Sequence, residues 1–226
     1  MLMLAMTGCK GETEAPVYYY EIETPMGNMV VRLYNETPQH RDNFDKLVSE
    51  KFYDGTRFHR VIPNFMIQGG DPNSKDDDPM NDGMGGPGYT IPAEINPKFF
   101  HKKGALAAAR QGDSVNPEKA SSGSQFYIVQ GQVYEGGMLD VLEKQMQQQL
   151  GPEFHFSEEA LQAYTTVGGT PHLDMNYTVF GEVVEGLDVV DKIAATPTTS
   201  AREAPPNRPL SDVSISIRRL QDYSPK

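Results

Sequence analysis

The chain has a single cysteine, Cys9, among 226 residues, so no internal disulfide can staple it. Positive charge is scarce: 20 Lys+Arg stand against 31 Asp+Glu, for a formal net charge of −11. That balance argues against a surface for nucleic acid or anionic membrane, either of which needs clustered cations. No apolar run reaches the length of a bilayer span. His40, His59, His101, His155 and His172 show no metal-ligand spacing, and a nucleophile-elbow serine is missing. No internal repeat is visible. What the chain does have is 21 Gly and 17 Pro, with turn signals between short apolar runs. This composition leans towards a mainly β fold with a few helices, in one generous domain large enough to bury a real core.

The first residues, Met1 to Gly8, are apolar and end in small side chains; Cys9 follows, and then a polar Lys10-Gly11-Glu12-Thr13-Glu14. Apolar, small, Cys, polar is an order that resembles a bacterial lipobox. It implies a lipidated Cys9 at the mature N-terminus, residues 1–16 as signal remnant and tether, and a folded domain over 17–226. The apolar run is short and lacks a basic start, which a start site upstream would supply. The other reading is an irregular N-terminus with a free thiol. One acyl chain anchors only marginally, so a stable anchor needs the multiple acylation of bacterial lipoproteins.

Alternation of Tyr18, Tyr20 and Ile22, then of Met29, Val31 and Leu33, predicts a hairpin turning at Pro25-Met26-Gly27-Asn28. Thr37-Pro38 is a helix start, and Phe44, Leu47 and Val48 at helical spacing carry that helix to about Glu50. Residues 71–97 read as loop. Within them Gly83-Met84-Gly85-Gly86-Pro87-Gly88 formally satisfies a dinucleotide fingerprint, but it lacks the strand before and the helix after, so the match is rejected. Asp76, Asp77, Asp78 and Asp82 lack calcium-loop spacing and read as solvated surface.

The stretch around which the rest is arranged is Phe58-His59-Arg60-Val61-Ile62-Pro63-Asn64-Phe65-Met66-Ile67-Gln68-Gly69-Gly70. It predicts two short strands joined at Pro63-Asn64. Strict alternation puts Met66 and Gln68 on one face with Phe65 and Ile67 opposite. Likewise Arg60 shares a face with Phe58 and Ile62, and His59 faces away in a structural role. An arginine in an apolar strand is either an edge residue reaching water or a fixed guanidinium beside a greasy pocket.

Three blocks decide between these. Phe58-His59-Arg60 through Phe65-Met66 and Gln68-Gly69-Gly70-Asp71, then Ser122 to Ile128, then Leu173-Asp174 with Tyr177 to Val183, resemble in order and spacing the signatures of the cyclophilins, the peptidyl-prolyl cis-trans isomerases. The resemblance runs from about Tyr18 to Arg219. It implies a closed eight-stranded antiparallel β-barrel capped by two α-helices. It also makes Gly104 to Arg110 a strand, although its alanine content alone suggests helix. Gly131 to Pro171, where the family commonly has a short link, is expected to be a helical insertion. Val141, Leu142, Met146 and Leu150 mark one helix there, and Ser157 opens a second through Tyr164. That insertion reads equally as a client or partner contact and as a decoration on the barrel. Strand returns at Tyr177 to Val184, Leu187, Val190 and Ile193 stripe a last helix, and a proline-rich surface link over 197–209 precedes a strand with Val213, Ile215 and Ile217.

For the chemistry, the resemblance implies Arg60, Phe65 and Gln68 as catalytic residues, with Gln68 bonding substrate or orienting Arg60. It assigns Phe65, Met66, Tyr127 and Leu173 to the walls of the proline pocket, Tyr177 to its rim, and Ala109, Arg110 and Gln125 to the extended peptide. Arg110 stands where many members have asparagine, adding positive charge near the groove. His172 stands where eukaryotic members have the tryptophan associated with cyclosporin, which argues against tight drug binding, and Tyr177 replaces a histidine. The implied function is isomerisation of X-Pro bonds in proline-containing peptides and in unfolded or exported proteins, by a periplasmic monomer without metal or cofactor. The alternatives are a non-catalytic peptide-binding or chaperone module on the same barrel, and a ligand-carrying barrel of lipocalin type.

Overall fold

The computed structural model describes residues 16–225, so Cys9 and the tether expected over 1–16 lie, but for its last residue, outside the described residues. Strands β1 (Tyr18–Thr24) and β2 (Gly27–Leu33) form the first hairpin. Its turn needs glycine: Gly27 has φ 129°, and a Cβ there would sit 2.9 Å from Val189. Helix α1 (Pro38–Ser49) starts and ends as expected, burying His40, Phe44, Leu47 and Val48. Its cap is not the expected one. The Thr37 hydroxyl donates to the Tyr34 carbonyl, while the Glu94 carboxylate accepts from the amides of Gln39 and His40 at 3.1 and 3.0 Å. A carboxylate at a helix N-terminus satisfies orphan donors and opposes the positive end of the dipole.

The central stretch folds as β3 (Arg60–Ile62) and β4 (Met66–Gly69), with Asn64 left-handed at φ 61° in the turn. After two 3₁₀ turns come the short β5 (Thr90–Ile91), β6 (Ala105–Ala108), β7 (Ser121–Ser122) and β8 (Phe126–Val129). The insertion supplies α2 (Met138–Leu150) and α3 (Glu158–Thr166), the latter capped by Ser157, whose hydroxyl accepts from the Ala160 amide at 3.1 Å. Then follow β9 (Val179–Glu185), α4 (Leu187–Ala194) and β10 (Ser216–Leu220).

Eight strands form one antiparallel sheet in the order β10-β1-β2-β9-β6-β8-β4-β3, and β5 pairs separately with β7. The sheet curls into a barrel that is not fully closed, which corrects the expected closure. Residues 51–55 turn and β3 begins only at Arg60, so between β10 and β3 a single bridge, Arg57 with Ser214, and bonds such as Phe58 N–H to Val213 O (2.9 Å) span the gap.

Alternation in the strands builds two apolar faces. Ile67, Leu106, Phe126 and Ile128 point into the main core with Tyr20, Phe44 and Phe180, and α1 and α4 pack on that core. The neighbouring residues Met66, Ala105, Ala107, Tyr127 and Val129 form a second cluster on the other face, with Phe65, Leu173 and Tyr177 packed against it. A third cluster, Leu139, Met146, Phe156, Ala160 and Tyr164, belongs to the insertion. Val141 and Leu187, expected on buried stripes, are exposed; Leu139 and Val189 take the inner positions.

Candidate active site

The second cluster opens into a pocket of about 360 Å³. Strands β3 and β4 bring Arg60, Met66 and Gln68 to it, β8 brings Tyr127, and the segments after β6 and α3 bring Ala109, Arg110, Leu173 and Tyr177. Phe65 also lines it. This corrects the alternation, because Phe65 lies in the turn before β4 and not in the strand. Phe58, expected beside Arg60, is instead in the main core, and His59, expected to face away, lines the same pocket as Arg60. Gln125 does not reach this pocket; it borders an adjoining groove that shares Gln68, Gly83, Ala109 and Arg110 with it.

Arg60 is half-buried, and burial pulls its pKa below the usual arginine value, although a guanidinium remains charged at any accessible pH. Among the described residues it makes no ion pair. Its side-chain partner is the neutral amide of Gln68, whose Oε1 accepts from Arg60 Nη1 at 3.1 Å. Gln68 Nε2 donates to Gln125 Oε1 at 3.1 Å, and Gln125 Nε2 donates to the carbonyls of Gly83 and Gly85 at 2.9 and 2.8 Å. The glycine-rich segment thus holds an amide relay that ends on the arginine. Asp71 fixes that segment from below, accepting from the amides of Gly83, Gly85 and Asn73. A Cβ at Gly85 would sit 2.1 Å from the Asp71 carboxylate, which explains a glycine there.

Arg110 differs from expectation. Its guanidinium lies 4.5 Å above the Tyr177 ring, pairs with Asp113 at 2.5 Å and donates from Nε to the Asn176 carbonyl at 2.8 Å. Its charge is therefore compensated and is not presented to the groove. The backbone of Ala109 is also engaged, with its amide on Gln125 O and its carbonyl on Ser122 N–H. His172 stacks on Phe65 with ring centroids 5.7 Å apart.

Three further features had no place in the sequence reading. Asp82, expected in a solvated acidic surface, is buried against Arg208 at 3.1 Å, tying the glycine-rich loop to the proline-rich link. Pro205 and Pro206 of that link form one wall of the pocket. Behind Tyr127, its hydroxyl lies 2.9 Å from His101 Nε2, and His101 Nδ1 lies 2.8 Å from Asp174. Only the position of Asp174 beside Leu173 in the third block hinted at this network.

An antiparallel sheet curled almost to a barrel, with an uncompensated arginine beside an apolar socket on one face, defines a class of peptide-handling β protein. The profile of that class, cyclophilin type peptidyl-prolyl cis-trans isomerase/CLD, matches residues 19–218. A Staphylococcus saprophyticus protein with a provisional peptidyl-prolyl cis-trans isomerase name is 34% identical over 198 residues, 86% of this chain and 87% of that one. Its Staphylococcus aureus counterpart is 35% identical over the same shares. The chain belongs to the cyclophilin-type peptidyl-prolyl cis-trans isomerases and is an enzyme of that class. In fold it is similar to the Cryptosporidium parvum cyclophilin crystal structure, with TM-score 0.65 and 21% identity over 92% of this chain and all of that one. A second structure of that protein, in the presence of the dipeptide Ala-Pro, gives TM-score 0.64, covering 90% of this chain and 99% of that one.

Proposed function

We propose that the Arg60 pocket catalyses rotation about X-Pro bonds by preferring the twisted amide to both planar forms. The barrier, about 18–20 kcal/mol, comes from delocalisation of the nitrogen lone pair. No bond to carbon is made or broken, so neither nucleophile nor proton transfer is required. At the twisted geometry the lone pair returns to nitrogen, and a donor aimed there or at the prolyl carbonyl stabilises that charge distribution. Arg60 is this donor, and Gln68 positions it. Phe65, Met66, Tyr127 and Leu173 hold the proline ring, with Tyr177 at the rim, while the backbone of Arg110 and the groove beside Gln125 take the extended peptide.

The observation that carries this reading is the charge of Arg60, half-buried and bonded to a neutral amide with no carboxylate among the described residues to quench it. Isomer-coupled peptide hydrolysis or NMR exchange tests it. Arg60→Ala should lower kcat/KM about 10²-fold, the effect of removing one preorganised donor; equal rates would favour a non-catalytic peptide binder. The clients that suit such a site are unfolded or exported proteins. We further place the enzyme in the periplasm, anchored through a lipid on Cys9, because the residues around Cys9 have lipobox order. Mass spectrometry of the mature N-terminus checks that assignment, and an unmodified Met1 would refute it.

A further inference from the structure

The insertion reaches the proline pocket through a buried chain of hydrogen bonds. Tyr164 of α3, fully buried in the insertion's own core, donates its hydroxyl to Asp174 Oδ2 at 2.6 Å. The other carboxylate oxygen, Oδ1, accepts twice from His101, from its backbone amide at 2.9 Å and from Nδ1 at 2.8 Å. With the Nδ1 proton directed at a carboxylate, the lone pair of a neutral imidazole lies on Nε2. It faces the Tyr127 hydroxyl at 2.9 Å, so the phenol donates and has one orientation. The Tyr127 ring lies within 11° of the plane of His101 and is set edge-on to Tyr177. Its opposite side is the wall of the proline pocket.

The backbone at the insertion's base fixes both ends of this chain. The Thr170 amide donates to the His101 carbonyl and the Lys103 amide to Gly168 O, each at 2.8 Å. A Cβ on Gly169 would meet His101 O at 2.3 Å and the Tyr164 ring at 2.6 Å, so the returning chain lies flush between them. Leu173, another pocket wall, directly precedes Asp174. A decoration merely packed on the barrel would not need a polar, fully partnered relay, since each buried polar group costs free energy unless satisfied.

We propose that Tyr164, Asp174 and His101 are positioning residues through which the insertion sets the Tyr127 wall of the proline pocket. The inference rests on the isomerase reading of that pocket. A wall that holds the ring does so in the planar and the twisted amide alike, so loosening it should raise KM and leave kcat nearly unchanged.

The test is a double-mutant cycle of Tyr164→Phe and Tyr127→Phe in the full chain, read as KM, kcat and the Kd of an Ala-Ala-Pro-Phe peptide. Tyr164→Phe should raise KM and Kd about fivefold, the scale of one buried hydrogen bond, with kcat changed less than about twofold. In the Tyr127→Phe background the same change should add almost nothing, because the hydroxyl it acts through is gone. An unchanged KM for Tyr164→Phe, or factors that multiply in the double variant, would overturn the relay and leave the insertion a decoration. The side-chain ¹⁵N shifts of His101 in the wild type give a reading that needs no variant to fold: a proton on Nε2 in place of Nδ1 would also overturn it. A wild type that binds the peptide without isomerising it would sink the catalytic role of Arg60, and the cycle read in Kd would still decide the relay.

Discussion

Arg60 owes its usefulness to what does not surround it. A carboxylate at hydrogen-bond distance would stabilise the guanidinium and spend its field on a fixed partner, whereas Gln68 orients it without neutralising it. Arg110 shows the contrast in the same pocket, its charge taken by Asp113 and its face by Tyr177. Arg60→Lys keeps the charge but loses the planar fork, and a lysine ammonium is a mobile point charge. We expect it to recover less than about a tenth of wild-type kcat/KM, since a misdirected donor forfeits most of the roughly 3 kcal/mol such a group supplies. Gln125→Leu tests the relay behind Arg60. It orphans the amide of Gln68 and the carbonyls of Gly83 and Gly85. It should lower kcat/KM about tenfold, while a decrease in thermal stability with unchanged kinetics would mean that Gln68 needs no support.

At the scale of elements, the helix start at Thr37-Pro38 was legible because proline at the first helical position is a local matter. The cap was not, because Glu94 lies more than fifty residues downstream and no spacing rule points to it. Glu94 also holds His40 Nδ1 at 2.7 Å, while His40 Nε2 meets the Ser121 hydroxyl at 2.9 Å, so one carboxylate joins α1 to the β5–β7 pair. Glu94→Ala should therefore cost about 2–4 kcal/mol, a lost cap plus an orphaned buried imidazole nitrogen. Urea unfolding measures it, and a cost below about 0.5 kcal/mol would return the capping role to solvent. Ala105–Ala108 was legible only through family resemblance: alanine favours helix, but all four residues are buried between β8 and β9, and sheet pairing overrides propensity. Arg60, Met66, Gln68 and Tyr127 are brought together by strand register, whereas the other pocket residues were named through the family resemblance alone. Phe65 shows the limit of that logic, since alternation fails where a residue belongs to a turn.

For the whole molecule the buried histidines set the response to acid. His40 and His59 are both more than nine-tenths buried, and burial pulls each pKa below the usual 6.5, against the opposing pull of Glu94 on His40 and of Asp71 and Asp82 on His59. Above about pH 6.5 both are neutral in the folded and unfolded chain, so they make no contribution to pH dependence there. As pH falls below 6.5 the unfolded chain takes up protons that the folded chain does not, and stability falls until the folded pKa values are reached. Each histidine can contribute a slope of at most about 1.4 kcal/mol per pH unit in that window. Against a typical total of about 5–15 kcal/mol, two such slopes matter. Relief of the repulsion within a chain of net charge −11 acts in the opposite sense as carboxylates protonate, but that occurs near and below pH 4.5, lower than the start of the histidine window. Urea midpoints should therefore be level from pH 8 to 7 and decline steadily from pH 6.5 to 5.5. His59→Phe should shrink the decline without abolishing it, because a phenylalanine in that buried position binds no proton in either state while His40 and His172, also pulled down by burial, keep their share. A wild-type stability flat to pH 5.5 would mean that both imidazoles find proton-accepting partners on charging. The folded enzyme would then hold them as buried cations, His40 on α1 and His59 just before β3.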